Sequence, residues 1–504
     1  MDEYAGLNVY YGDLHNHCAI SYGHGPLEAA LGNARTQLDF CSVTGHAAWP
    51  DMPKPDGRID YIIDFHKKGF ARLEENWHDI LKQLKQHNSP GEFLVFPGYE
   101  IHSSKDGDRT FLFKEFKGDL ILKGDIPNTI QYLKEIYAED ALGFPHHIGY
   151  PQGHRGINWS SYDQSFCPLI EMFSMHGCAE GRETTWPYLH SMGPSDGHSS
   201  MQHGLALGHR FGLLANTDHH SAFPGSYGRG RTGLWAPELS RQDIWEALRT
   251  RRTYALTGDR IDLRFSINGN LMGTDAPPAK KRRIKIDVNA GGAISYIDLI
   301  KNNHLLKRFT PADNTFVPHS GDMRRAKLYL EVGWGEKHKT APWEVDIKLG
   351  NARILSVEPR FRGMEVVSPV EMGENHLPYR NGAWELVDEG QCHFEVVSQG
   401  NPTNTTPTTQ GMCLHIAFAP DAKIQTKLND HTITLPIERL VQGAYGRPLS
   451  NIDSPAYLFH RLPQEQELHW KLTLEDGISE PHDFYYVRVV QDNGQMAWSS
   501  PIYF

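Results

Sequence analysis

NVYYGDLHNH, residues 8–17, decides how this chain is read. A strand-like run ends at Gly12 and Asp13, and two histidines, His15 and His17, follow two apart. In extended chain such residues face one side, so both rings can reach one centre. The device recurs along the first half. DFCSVTG runs into His46, and FLVFPGY into Glu100; ALGFP precedes His146 and His147. LIEMFSM precedes His176, and GLLANT precedes Asp218 and His220. In a barrel of parallel strands these ends share one rim, so residues distant in sequence converge. Converging imidazoles and carboxylates are what a divalent metal cluster requires, and the pattern implies a metal-dependent hydrolase.

Between these strands the sequence predicts helices. Pro26 opens one through Leu27, Ala30, Leu31 and Ala34. A longer one carries Ile62, Phe65, Leu73, Trp77, Ile80, Leu81 and Leu84 near a 3.6-residue period. Its histidines, His66, His78 and His87, are expected to face solvent. Asn128–Ala138 reads as helix, and Ser240-x-x-Asp243 resembles a capping box ahead of IWEALRTRR. Alternating elements of this kind imply an α/β barrel, largely parallel, over residues 1–262. From 263 to 504 the pattern changes to short alternating stretches such as RIKIDVN, KLYLEVGW and FYYVRVV, with no long helix. That region reads as an all-β sandwich, in one or two subdomains. SQGNPTNTTPTTQG, around 398–411, reads as a polar loop or a join between β units.

Composition narrows the field. The net charge of −11 argues against a nucleic-acid binder. The basic run Lys280–Arg283 reads as a solvated turn before a strand. No apolar run approaches a membrane span, and MDEYAGLNVYYG lacks the basic-then-apolar plan of a secretory signal. The cytoplasm is the expected location. Six scattered cysteines without a CxxC pair read as reduced structural thiols. Eighteen of the 28 histidines fall within the first 220 residues, which places the metal chemistry there.

Taken together, GDLHNHCAISYGHG, DFCSVTGH, FPGYE, FPHH and NTDHHS resemble the PHP (polymerase and histidinol phosphatase) superfamily over about residues 8–260. GLWAPELSRQDIWEALRTRRTYALTGDRI resembles a branch with an appended C-terminal β region. The resemblance implies a distorted α/β barrel holding two or three divalent ions of zinc, manganese or iron. It implies His15 and His17 as the first ligand pair, His46, Glu100 as a carboxylate bridging two metals, His146 or His147, and the closing pair Asp218 and His220. The chain departs from the pattern at Thr44-Gly45-His46, where members have Thr-Asp-His. His24 is the nearest candidate ligand after the serine motif. Asp108 stands near where members place a histidine beyond the bridging glutamate.

The implied reaction is hydrolysis of a phosphoester by a metal-bridging hydroxide. His176 and His102 are candidate acids for the leaving group. Arg229 and Arg231 are candidate grips for an anionic substrate, small or oligomeric and carbohydrate-linked in one version; His154 and Arg155 are further candidates of that kind. Trp186, Trp235 and Trp343 are expected in the core or at an interface. Two alternatives stay open: hydrolysis of a non-phosphate ester or amide, and a metal-stabilised binding module without catalysis. Neither nucleic acid nor membrane is an expected partner, and the chain leaves room for an oligomer.

Overall fold

The computed structural model describes residues 2–188, 193–364, 379, 382–400, 407, 409–478 and 482–504. Its first half carries twelve strands: β1 (Asn8–Asp13), β2 (Phe40–Cys41), β3 (Gly45–Ala48), β4 (Leu94–Val95), β5 (Gly98–Ile101), β6 (Arg109–Phe113), β7 (Ala141–Pro145), β8 (Leu169–Ser174), β9 (Gly177–Cys178), β10 (Gly212–Ala215), β11 (Arg231–Ala236) and β12 (Thr253–Leu256). Five helices accompany them: α1 (Leu27–Gln37), α2 (Asp60–His87), α3 (Ile126–Tyr137), α4 (Met201–Ala206) and α5 (Arg241–Arg249).

Parallel pairing links β1 to β2, β2 to β4, β3 to β5, and β8 to β10. Antiparallel pairing joins β5 to β6 and β6 to β7, and joins β1 to β11 and β11 to β12. A strand that runs against its neighbours presents its start, not its end, at their C-terminal edge. β6 starts at Arg109, so Asp108 lies beside the ends of β5 and β7.

The helices follow from local chemistry. α5 begins where the Ser240 side chain accepts the Asp243 N–H, the cap read from the sequence. α3 begins at Asp125, whose side chain accepts the Asn128 N–H, with Pro127 in the first turn. α2 buries Ile63, Leu73, Trp77, Ile80, Leu81 and Leu84 along one stripe. His66 corrects the solvent-facing reading: it is buried among Tyr22, Trp49 and Phe70, while His78 is exposed.

The second half is antiparallel in every strand pair among the described residues. A four-stranded sheet runs Asn270–Leu271, Asp262–Ile267, Lys281–Asn289, His469–Gly477. An eight-stranded sheet centres on two long strands, Thr340–Arg360 and Gln410–Leu428. Inward and outward residues alternate along Lys281–Asn289 and Gln391–Gln399, as a sheet with one buried face requires. Lys281–Arg283 lies inside the first of these strands. Arg282 is buried there and paired with Asp483 and Tyr485, while Lys281 and Arg283 are exposed strand residues, so the solvated-turn reading holds only for Lys280. Of the polar stretch 398–411, residues 401–406 and 408 lie outside the described residues.

The two halves share a sheet. His304–Phe309, Ile294–Lys301, Phe484–Gln491 and Met496–Ser499 continue through β12, β11, β1, β2 and β4 in one ten-stranded array that also includes Ile502–Tyr503. Tyr11, Trp235 and Tyr254 from the first half pack with Phe265, Ile286 and Trp470 from the second. A separate core gathers Leu328, Trp343, Phe394 and Leu414 with Phe223. Trp235 and Trp343 are thus core residues, and all six cysteines are buried free thiols. No described helix is long and apolar enough to cross a membrane.

Candidate metal centre

The loop after β1 and the loop after β10 are laced together by main-chain bonds. Asp218 N–H donates to the His15 carbonyl (2.8 Å), His17 N–H to His219 (2.8 Å), and His24 N–H to His220 (2.8 Å). Buried Asp13 ties down the same turn. It accepts from the His15 and Thr217 N–H groups, the Thr217 hydroxyl and the Gly225 N–H. Asp13 therefore holds the frame that the ligand pairs stand on. Burial pushes its carboxyl up to about 6, against those four donors.

On this frame the expected side chains meet. His17 Nε2 lies 3.0 Å from Asp218 Oδ1 and 3.3 Å from Glu100 Oε2. His15 Nε2 and His46 Nε2 each lie 3.3 Å from the same Glu100 oxygen. The other Glu100 oxygen, Oε1, is 2.9 Å from His102 Nδ1 and 3.0 Å from His146 Nε2. Asp108 Oδ2 is 3.0 Å from His102 and 3.1 Å from His147. Asp218 Oδ2 is 3.1 Å from His147 Nε2 and 2.7 Å from His176 Nε2. His220 closes a group with His17 and His46. Glu100 thus touches five imidazoles from four separate segments, the position a bridging carboxylate needs.

Of the histidine pair whose choice the sequence leaves open, both members are present on different sides. His146 sits in one group with His15 and Glu100, and in another with Asp108 and His147. His24 is buried beside this loop through its bond to His220. His102 and His176, expected as acids, stand among the donors themselves.

The arginines are distributed differently from the sequence reading. Arg231 is fully buried in β11, donating to Gln37 Oε1 (3.0 Å) and the Gly225 carbonyl (3.3 Å), with Glu358 3.7 Å away. It joins the two halves and is not available to grip a substrate. Arg229 sits near His219, with its N–H on the Ser226 carbonyl. The cation that does reach the centre is Arg155. Its Nη2 lies 2.5 Å from Asp108 Oδ2 and 2.7 Å from His102 Nδ1, and its side chain keeps 16% exposure.

Two further residues escaped the sequence reading. Glu171, in mid-strand β8, accepts from His15 Nδ1 (2.9 Å) and Asn216 Nδ2 (2.9 Å). Tyr22 stacks on His46 at 3.6 Å and places its hydroxyl 2.5 Å from His102 Nε2. A lone acid inside LIEMF was the available signal for Glu171. Tyr22 lies in an irregular loop, where no period marks it.

Burial and charge set the protonation of the cluster. Burial would raise the Glu100 carboxyl, but His146, His102 and His46 hold it well below its ordinary range. Burial, reinforced by neighbouring imidazoles, pushes His46 and His220 well down and His147 to about 3. For His15 burial is outweighed by Glu171 and Asp218, which raise it. Neutral imidazoles and ionised carboxylates are the forms that bind metal.

The donor set fits divalent cations. Among the described residues, six overlapping groups of three or more His, Asp or Glu residues each bring one donor per residue within 4.8 Å of the others, and nearly all of the named members are buried. Glu100 Oε1 and His146 Nε2 are 3.0 Å apart, yet neither has a hydrogen bond of acceptable geometry among the described residues. Buried polar atoms rarely stay unmatched. A cation between them would satisfy lone pairs that face one another this closely. The backbone is also held in uncommon conformations here, with positive φ at His147 (54°), Arg155 (72°) and Asp218 (51°), a state non-glycine residues reach only under constraint.

Comparison with known proteins adds the following. Residues 214–295 match a family described as a protein of unknown function, DUF3604. The chain is 28% identical over 178 residues to an uncharacterised protein of Chlamydia trachomatis, covering 32% of this chain and 29% of that one. It is 23% identical over 296 residues to an uncharacterised protein of Chlamydia pneumoniae, covering 53% and 47%. The alignments thus span less than half of those relatives' own lengths. Among solved structures, a two-domain protein from Bacteroides vulgatus containing a predicted PHP-like metal-dependent phosphoesterase aligns over 86% of this chain and 96% of its own. The identity is 14% and the TM-score 0.33.

Proposed function

We propose that the chain is a metal-dependent hydrolase of phosphoesters, its first half a distorted PHP-like barrel whose strand ends build the catalytic centre. One observation carries this reading: seven buried imidazoles, the half-buried His220 and three buried carboxylates, delivered by separate segments, close within ion-pair distance around Glu100, Asp108 and Asp218. A structural metal site is small and closed, with four protein ligands. This cluster has several times that number of donors and an open edge at Arg155 and His220, whose side chains are 16% and 18% exposed. The parallel pairs β1–β2–β4, β3–β5 and β8–β10 support the barrel reading.

His15, His17, His46, Glu100, Asp108, His146, His147, Asp218 and His220 would hold the metals. Bound there, divalent ions supply an activated water and polarise a phosphoryl oxygen. The chain's own groups do the rest. Arg155 presents a forked cation at the open edge, suited to a phosphoryl oxygen. Asp108 fixes that guanidinium through its Nε (2.7 Å). His176 is the proton carrier: its Nδ1 is 3.0 Å from the Tyr150 hydroxyl, and Nε2 is 2.7 Å from Asp218. Tyr22 and Trp49 wall the centre beside His102.

The test is elemental analysis of the native protein, then a screen of phosphomonoesters, phosphodiesters and carboxylic esters with Mn, Zn and Fe. His17→Ala and Asp218→Ala are expected to lose bound metal and turnover together. Wild-type turnover in either variant refutes the assignment. Hydrolysis confined to carboxylic esters replaces the phosphoester reading with its closest rival.

A further inference from the structure

A cavity of about 350 Å³ lies where the second half meets the loop that follows β10. That volume is within the usual range for small-molecule sites, roughly 300–1,000 Å³. None of the metal-centre residues lines it. Its wall is cationic and aromatic. Arg360 lies over the rings of Tyr227 (5.4 Å) and Tyr329 (4.6 Å), and Arg362 over Tyr227 (4.8 Å). His460 stacks on Tyr329 with centroids 4.4 Å apart. Lys327 and Arg461 complete the charge.

Acids hold the arginines in place, but from behind the wall. Arg360 Nη2 is 3.1 Å from both Asp259 Oδ1 and Glu358 Oε2, and neither acid lines the cavity. Two acids face inward, Asp492 and Glu331, and both are already engaged: Asp492 Oδ2 is 3.3 Å from Arg461 Nη2, and Glu331 is matched on both oxygens. Oε2 is 2.8 Å from His460, and Oε1 receives Arg362 and Thr409. Against this, one cation on the wall lacks a direct match among the described residues: the Lys327 ammonium, whose charge is felt by Glu358 behind the wall but which makes no side-chain hydrogen bond or close ion pair. A cavity whose fixed cations exceed its free acceptors wants an anion with several oxygens.

We infer that this cavity is a second binding site, independent of the metal centre, for a small molecule bearing a phosphate or carboxylate group. The stacked guanidinium groups give the planar, preordered donors, and Lys327 supplies the point charge that closes on the oxyanion.

The test is calorimetric titration of the full-length metal-loaded chain with inorganic phosphate and, separately, with succinate, in wild type, Lys327→Ala and Lys327→Arg. Lys327 is half-buried at the cavity edge, so both variants are expected to fold. Loss of a charge-assisted bond is expected to weaken binding about tenfold or more in Lys327→Ala, with recovery in Lys327→Arg. The anion that shows this pattern names the ligand group, phosphate or carboxylate. Crystals soaked in selenate should show an anomalous peak between Lys327 and Arg362. If neither anion is sensitive to Lys327, or if selenate settles only at the metal centre, the inference is overturned.

Discussion

Glu171→Gln tests the metal centre from behind. Glu171 touches no other carboxylate in the cluster. Its Oε2 receives both His15 Nδ1 and Asn216 Nδ2 at 2.9 Å, so it fixes the His15 ring and leaves Nε2 turned toward Glu100. Glutamine keeps the shape and an acceptor oxygen, so both bonds can persist, but the charge is gone. A hydrogen bond to a charged partner contributes about 1.5–3 kcal/mol and a neutral one about 0.5–1.5. The expected loss is therefore about 1–1.5 kcal/mol. At about 1.4 kcal/mol per decade, that is about tenfold in metal affinity. This meets the lower end of the roughly 10–100-fold range usual for such supporting residues. The assay is competition for Zn or Mn against a chromophoric chelator, comparing wild type, Glu171→Gln and Glu171→Ala. Alanine also strands the Asn216 and His15 donors, so it should cost more and lower the melting temperature. If Glu171→Gln binds metal within twofold of wild type, the carboxylate does not tune His15 and the reasoning fails.

Two further predictions concern the loop and the β region. Gly156→Ala would put a methyl group 1.7 Å from the Tyr150 carbonyl oxygen, a backbone atom that cannot swing aside. The adjoining turn must shift and take Arg155 off Asp108. A loss of about 3 kcal/mol in urea unfolding and reduced turnover are expected, and wild-type stability would show that this turn is not tightly packed. His415 in Gln410–Leu428 is pushed down to about 4 by burial first, and then by the charges of Lys327 and Arg325. The unfolded imidazole titrates near 6.5, so the unfolded state takes up the proton first. The stability this neutral histidine permits is complete above pH ~6.5 and drains away as pH falls toward 4. The effect is on the order of 2 kcal/mol after allowance for its partial exposure. His415→Gln should therefore lose less melting temperature than wild type between pH 7 and pH 4; parallel curves would contradict this.

What was legible from the sequence was whatever a strand end advertises. His15, His17, His46, Glu100, His146, His147, Asp218 and His220 each follow an apolar run, and convergence follows once those runs lie side by side. Asp108 is different in kind. It precedes its strand, and it reaches the rim only because β6 runs against β5 and β7, a reversal that FLFKEF does not disclose. Residues that support the ligands were harder still. Glu171 is hidden in mid-strand, where a lone acid reads as a solvent-facing position. Tyr22 lies in an irregular loop with no period to mark it, and Arg155, read from the sequence only as a further candidate grip, owes its place to a left-handed backbone beside the tightly packed Gly156. His66 misled because helical period alone assigns faces by apolar residues, whereas its neighbours are rings from the metal-centre loops. Arg231 misled for the opposite reason. A Gly-rich setting suggested a mobile surface loop, but Arg231 opens β11, and only the pairing of the two halves through Gln37 and Glu358 shows where its charge is needed. The common cause is that ligand positions are local facts about strand ends, while the residues that aim them are fixed by packing between segments more than 100 residues apart, as with Glu171 and His15.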